Sequence, residues 1–112
     1  NRAEGATNLV LTEYMACGKP VIATNATGHG DVVNSSNALV VNSRGSSSLR
    51  APDGFVVAEW PEPDLDQAIA HLEDAYQNRE KLKALGERAA AEMAKLSWRR
   101  TAEQFLKLLA AS

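Results

Sequence analysis

The sequence predicts an α/β fold in which helices and a parallel sheet are followed by a C-terminal run of three helices. An apolar helical segment leads through a Gly-Lys-Pro turn directly into a short β-branched strand, an order typical of layered α/β folds. From residue 64 onward, apolar side chains recur at helical spacing. We therefore expect a single domain or part of one, with residues 1–58 as its α/β part and residues 59–112 as its helical part.

Capping and helix-breaking residues predict where the first helix begins and ends and where the strand after it lies. Thr7 or Asn8 can cap the helix, and Gly18 suits the left-handed position that ends it. Pro20 prevents the helix from continuing, and residues 21–24 form an apolar run typical of a central strand that is buried on both faces. In such folds, ligands bind outside the C-terminal ends of parallel strands and at helix N-termini, where free N–H groups suit an anion such as a diphosphate.

Two carboxylates accompany this helix. Glu4 precedes it, where the helix dipole favours a negative charge, so physical grounds alone predict a capping carboxylate in a solvated loop. Glu13 lies in the second turn, four residues from both Leu9 and Cys17, and therefore on a face that is otherwise apolar. A carboxylate buried there needs a partner, which the hydroxyls of a ribose or a structural Arg or Lys would supply.

A small, Gly-rich connection at residues 25–30 follows the strand, where the rim of a ligand site is expected. Thr27, Gly28 and His29 line a ligand site in one interpretation. In the other, they form a tight turn whose glycines merely permit positive φ. Asp31 can cap a short helical turn after them.

Two further strands are expected at residues 38–41 and 55–58. Between them, the Ser-rich residues 42–48 predict a mobile loop, and we expect Arg44 and Arg50 to be solvated rather than bound to a phosphate.

Residues 59–63 end the sheet region, with Pro63 in the first turn of the next helix. Asp64 begins that helix in a pattern similar to a capping box, and Asn78 and Ser97 can cap the two that follow. The side chains expected to face inward are Leu65, Ala68, Ile69, Leu72 and Tyr76 in the first helix, Leu82, Leu85, Ala89, Met93 and Leu96 in the second, and Trp98, Ala102, Phe105 and Leu109 in the third.

Composition excludes several functional classes. The 112 residues are 45% hydrophobic and carry a net charge of -2, so no basic patch indicates nucleic acid binding. No apolar run is long enough to span a membrane, which favours a soluble, cytoplasmic protein. Cys17 is expected to be a packed side chain rather than a nucleophile, and His71 to lie on a solvated helix face. His29 and His71 match no zinc spacing, so we expect no metal.

The segment that begins at Glu4 resembles a known family. Its sequence, EGATNLVLTEYMACGKPVI, is similar to the donor-site signature of family 4 type (group 1) GT-B glycosyltransferases, in which a Glu, seven residues and a second Glu precede a small-residue turn and a Pro-Val-Ile strand. The chain departs from that signature in one respect, since Glu4 and Glu13 enclose eight residues. The resemblance is strong through residue 33, weak over residues 34–57 and moderate beyond them.

The resemblance implies the later part of a Rossmann-like, C-terminal nucleotide-sugar-binding domain. It also implies that Glu4 is a catalytic residue that contacts the donor sugar, and that Glu13 accepts hydrogen bonds from the ribose. The other residues expected to bind the donor are Thr7, Asn8, Leu9, Gly28 and His29. The implied reaction transfers a hexose from a nucleoside diphosphate sugar, with retention and without a cofactor or metal, to an unknown acceptor that is a sugar or is linked to a lipid.

Because the chain begins without Met and inside this motif, we expect a truncated sequence. The resemblance implies that the missing part includes an N-terminal acceptor domain, which is also where peripheral contact with a membrane would be expected. The truncated piece should be inactive alone and should self-associate, most simply as a dimer. Two alternatives remain open. A nucleotide-sugar 2-epimerase of the same architecture would release epimerised sugar without an acceptor, whereas a non-catalytic binding or assembly module would bind no nucleotide sugar.

Overall fold

A computed structural model of the protein describes residues 7–111 and confirms the predicted α/β class. Its elements are α1 (Leu9–Ala16), β1 (Ile22–Thr24), a 3-10 helix (Thr27–Asp31), β2 (Leu39–Val41), β3 (Ser43–Arg50), β4 (Val56–Pro63), α2 (Leu65–Gln77), α3 (Arg79–Met93) and α4 (Trp98–Ala110). The parallel sheet β1–β2 lies in the first part, a small antiparallel sheet β3–β4 follows it, and three helices end the chain.

The parallel sheet has two strands within the described residues. Ile22 lies opposite Leu39, and the Leu39 N–H donates to the Val21 carbonyl at 3.0 Å. The expectation of a central strand is wrong for this part of the chain, because β1 pairs only with β2 and its residues are half-buried.

Side chains of α2 cover the edge of β2 that faces away from β1. The Nε2 atom of His71 lies 2.8 Å from the Val40 carbonyl oxygen, and the Asn42 N–H donates to Gln67 Oε1 at 2.6 Å. The Asp64 N–H donates to the Asn42 carbonyl at 2.8 Å. The expectation that His71 is solvated is therefore wrong, because its half-buried ring binds a strand carbonyl.

The core lies between α1, the segment after the 3-10 helix, and α3. Its buried apolar side chains include Met15, Val32, Val33, Ala38, Ala89 and Met93. Cys17 is exposed, contrary to expectation, because α1 turns Leu11 and Met15 toward the core instead. At the C-terminus of α1, the N–H groups of Gly18 and Lys19 donate to the carbonyls of Met15 and Tyr14. Gly18 has the expected positive φ, 70°.

The predicted mobile loop is a β-strand. β3 and β4 form an antiparallel hairpin around a turn in which Asp53 Oδ1 accepts from the Phe55 N–H at 3.0 Å. Residues 59–63 continue β4 rather than ending the sheet, so Pro63 belongs to the strand and not to a helix. Side-chain pairs support the hairpin, such as Ser46 Oγ donating to Glu59 Oε1 at 2.8 Å.

Arg44, which we expected to be solvated, ties this hairpin to the start of α2. Its guanidinium lies 3.1 Å from Asp64 Oδ2 and 2.9 Å from Asp66 Oδ2. Asp64 also caps α2 as predicted, since its side chain accepts from the Gln67 N–H at 3.1 Å. The side chain of Asn78 does not cap α3, because it donates to Asp74 instead.

The predicted inward faces of α2 and α4 are mostly exposed. In α3, Leu85, Ala89 and Met93 are buried as expected, and Ser97 caps α4. Of the large apolar side chains that were expected to face inward, those found exposed are Leu65, Ile69, Leu72, Tyr76, Leu96, Trp98, Phe105 and Leu109. Amphipathic spacing therefore predicted the packed face of α3 but not those of α2 and α4. The side chains of α2 that contact β2 are those of Gln67 and His71, and α4 has no buried side chain among the described residues.

Candidate functional site

The N-terminus of α1 forms one side of the site. Asn8 has an extended backbone and caps the helix, because its Oδ1 accepts from the Leu11 N–H at 3.1 Å. The expected start of the helix is confirmed, with Asn8 rather than Thr7 as the cap. The N–H groups of Leu9 and Val10 belong to the first turn and have no intrahelical acceptor, so they point toward any anion at this end.

The other side is the 3-10 helix that follows β1. Its His29 is only 4% exposed, and both ring nitrogens have polar neighbours. Nδ1 lies 3.2 Å from the hydroxyl oxygen of Thr24, the last residue of β1, and Nε2 lies 3.4 Å from Nδ2 of Asn8. His29 therefore joins the C-terminal end of a parallel strand to the N-terminus of α1, two places where α/β folds bind ligands.

The backbone beside His29 differs from the glycine-based turn we had considered. The left-handed residue is Thr27, with φ of 56°, whereas neither Gly28 nor Gly30 has a positive φ. A Cβ on Gly30 would lie 2.9 Å from the carbonyl oxygen of Asn25, so Gly30 is required for a close approach. The left-handed backbone of Thr27 stores strain because Thr is not glycine, and such strain is common where loops bind ligands.

Glu13 is exposed on α1, about 7 Å along the helix axis from Asn8 at 1.5 Å per residue. The expectation of a buried carboxylate is wrong, because Leu9 and Cys17 on the same face are also exposed. Within residues 7–111, the Glu13 side chain makes no hydrogen bond or ion pair, so the alternative of a structural Arg or Lys partner finds no support there. Glu4 and its relation to the helix lie outside the described residues.

A polar cluster that the sequence did not reveal holds the segment after the 3-10 helix. Glu92, in α3, accepts from Asn34 Nδ2 at 3.2 Å, Ser36 Oγ at 3.1 Å and Asn37 Nδ2 at 2.6 Å. These bonds, that of Asn34 first, hold the pKa of the Glu92 carboxyl below its ordinary value of 4.5. Fully buried Asn37 also donates to the Val32 carbonyl at 2.9 Å. No local pattern signals these contacts, which span more than 50 residues.

The described residues contain no group of three His, Cys, Asp or Glu side chains placed to hold a metal ion. Over the same part of the chain, no helix has both the length and the apolar character needed to cross a bilayer.

Comparison with known proteins gives a family match. The family model described as "Glycosyl transferases group 1" matches residues 5–92, which include α1, both sheets and most of α3. A search among curated proteins gives no match.

Proposed function

We propose, since the chain belongs to the group 1 glycosyl transferases, that it takes part in transferring a hexose from a nucleoside diphosphate sugar. In this proposal the donor binds between the N-terminus of α1 and the 3-10 helix after β1. The observation that supports this site best is the 3.4 Å approach of Asn8 and His29, which brings the two ligand-binding ends of the fold together.

The chemistry of the departing group fits the N-terminus of α1. As the bond to the sugar breaks, negative charge collects on the diphosphate. The N–H groups of Leu9 and Val10 stabilise that charge without reorganising, and the dipole of α1 adds to their effect. These groups interact more strongly with the transition state than with the bound donor, and they therefore accelerate the reaction rather than only tightening binding.

Two carboxylates have separate roles in this proposal. Glu13 is exposed, so its carboxylate is accessible to accept hydrogen bonds from the two ribose hydroxyls. Glu4 contacts the donor sugar and orients it, a role that the family signature implies. Thr7 and Gly28 complete the donor site, beside the residues already described.

The stereochemistry is proposed to be retaining, and no residue is assigned as a nucleophile. No metal is required, because the N–H groups and the helix dipole take the role of the charge-neutralising ion. We also propose that the 112 residues alone do not transfer sugar, because none of the described residues is assigned to an acceptor site. The large exposed faces of α2 and α4 fit a chain that needs a partner.

The test is sugar transfer by the whole protein with a panel of nucleoside diphosphate hexoses, with the anomeric configuration of the product read by NMR. Transfer with retention supports the proposal, and an inverted product contradicts the stereochemistry. Release of an epimerised free sugar in the absence of acceptor would instead identify a 2-epimerase. Absence of nucleotide-sugar binding would leave a binding or assembly module.

A Glu4→Ala variant tests the role of that residue within the same assay. We expect kcat to fall by more than donor KM rises, because a group that orients the sugar acts mainly in the transition state. Glu87→Ala is the matched control, since Glu87 is an exposed carboxylate on α3. Equal kinetic constants for Glu4→Ala and Glu87→Ala would remove Glu4 from the site.

A further inference from the structure

We propose that His29 is a positioning residue of the donor site, held as the neutral tautomer with its proton on Nδ1, and that it acts on the donor through Asn8. Its effect on donor binding rests on the proposed function, but the tautomer does not.

The orientation of the Asn8 amide fixes the tautomer. Oδ1 must face the Leu11 N–H, from which it accepts at 3.1 Å, so Nδ2 is the atom that lies 3.4 Å from His29 Nε2. Nδ2 of an amide can only donate, and Nε2 must therefore be the unprotonated acceptor. The proton of neutral His29 is then on Nδ1, which donates to the Thr24 hydroxyl oxygen at 3.2 Å.

Burial and backbone contacts prevent His29 from taking another position. Its carbonyl accepts from the N–H groups of Val32 at 3.0 Å and Val33 at 2.8 Å, which holds the backbone from the C-terminal side. The close approach of Gly30 to the Asn25 carbonyl further restricts the backbone next to His29. A ring that is 4% exposed, with both nitrogens occupied, does not reach a donor directly while these contacts persist.

The consequence for the donor runs through the helix cap. The Asn8 side chain accepts from the Leu11 N–H through Oδ1 and donates to His29 Nε2 through Nδ2. The imidazole therefore helps to hold the Asn8 amide in the orientation that caps α1. The cap in turn stabilises the first turn of α1, which carries the N–H groups of Leu9 and Val10. Because those groups contact the diphosphate in the bound donor and interact with it more strongly in the transition state, loss of the link should raise donor KM and also lower kcat.

The tautomer is tested on the 112-residue chain by long-range ¹H–¹⁵N NMR of the histidine side chains. We expect the His29 Nδ1–H pattern in the wild type. In Asn8→Asp the cap is kept, because Asp and Asn cap equally well, but the amide donor becomes a carboxylate oxygen. The proton should therefore move to Nε2 in that variant. An Nε2–H pattern in the wild type, or an unchanged Nδ1–H pattern in Asn8→Asp, would overturn the proposal.

The positioning role is tested by donor kinetics of the whole protein with two matched variants. The amide of His29→Gln reaches about as far as Nε2, and that of His29→Asn only about as far as Nδ1. We expect donor KM to rise about tenfold in His29→Asn, which is about 1.4 kcal/mol, and by no more than about threefold in His29→Gln. Circular dichroism of both variants checks that they fold.

Equal KM values in the two folded variants, or a loss confined to kcat, would overturn the positioning role. A wild-type protein with the Nδ1–H tautomer that binds no nucleoside diphosphate sugar would overturn the proposed function instead, while the link between His29 and Asn8 would stand. If His29→Asn and His29→Gln do not fold, the Asn8→Asp spectrum decides the proposal, since that variant keeps the helix cap.

Discussion

A Cβ atom on Gly86 would lie 2.1 Å from the carbonyl oxygen of Gly18, so α3 and the C-terminal turn of α1 touch backbone to backbone. The same Cβ would lie 3.3 Å from the backbone nitrogen of Pro20. Gly86 is fully enclosed in the middle of α3, and this contact fixes how α1, with the candidate site at its other end, lies on the domain.

Replacing Gly86 by Ala should therefore destabilise the protein. Helix propensity alone would favour Ala by about 1 kcal/mol, but the overlap is with backbone atoms that cannot rotate away. We expect a net loss of about 1–3 kcal/mol in the free energy of unfolding, measured by urea denaturation. The exposed neighbour Glu87→Ala should change it by less than about 0.5 kcal/mol. A Gly86→Ala variant as stable as the wild type would show that α1 and α3 can move apart at this contact without loss of stability.

The Glu92 cluster should make stability depend on pH. The native pKa of Glu92 lies below the unfolded value, so its contribution is fully present above about pH 5 and is lost as the pH falls through the native pKa. Glu92→Gln should cost about 1 kcal/mol at pH 7, and this difference should shrink as the pH drops below the ordinary carboxyl pKa. Chemical denaturation at several pH values measures it, with Glu87→Gln as the control. A difference that stays constant down to pH 3 would contradict the assignment.

Glu13→Gln should weaken donor binding by the whole protein. The substitution keeps the size of the side chain but replaces charge-assisted hydrogen bonds to the ribose by neutral ones. We expect donor KM to rise by an amount that corresponds to about 1–2 kcal/mol, with little change in stability, because Glu13 is exposed. Glu103→Gln, an exposed carboxylate on α4, serves as the control. Unchanged donor KM in Glu13→Gln would place the ribose elsewhere.

The 112-residue chain should self-associate, most simply as a dimer, through the apolar face of α4. Trp98 is 90% exposed there, and Phe105 and Leu109 follow it on the same face of the helix. Light scattering should show a mass that rises with concentration. Phe105→Glu together with Leu109→Glu should abolish the rise, whereas Lys107→Glu, which lies off this face, should not. A monomer at all concentrations would exclude α4 as a self-association surface.

Local signals in the sequence predicted the features that depend on few residues. The caps at Asn8, Asp64 and Ser97 and the left-handed Gly18 are set by neighbours within four positions, and all four are as expected. The fold class followed from the order of helix, turn and strand, together with a family signature.

Contacts between distant residues could not be predicted in the same way. β3 is rich in Ser, which has little strand preference, and it exists because a turn at Asp53 and Gly54 brings it beside β4. His71 and Glu92 have the spacing of exposed helical residues, yet each binds a segment more than 30 residues away. The contact of Asn8 with His29 is likewise a product of packing, although both residues were predicted separately for the site.

The cover that α2 provides over β2 decides how the parallel sheet can be extended. Backbone groups of a strand alternate between its two edges, so Val40 and Asn42 face away from β1, where His71, Gln67 and Asp64 already bond them. An incoming extended peptide would have to displace the side chains of His71 and Gln67 and the backbone N–H of Asp64 before it could pair there. The outward-facing groups of Ile22 and Thr24 meet no such obstacle among the described residues. Among the described residues, the outer edge of β1 is therefore the edge of the parallel sheet that remains open to pairing with another strand.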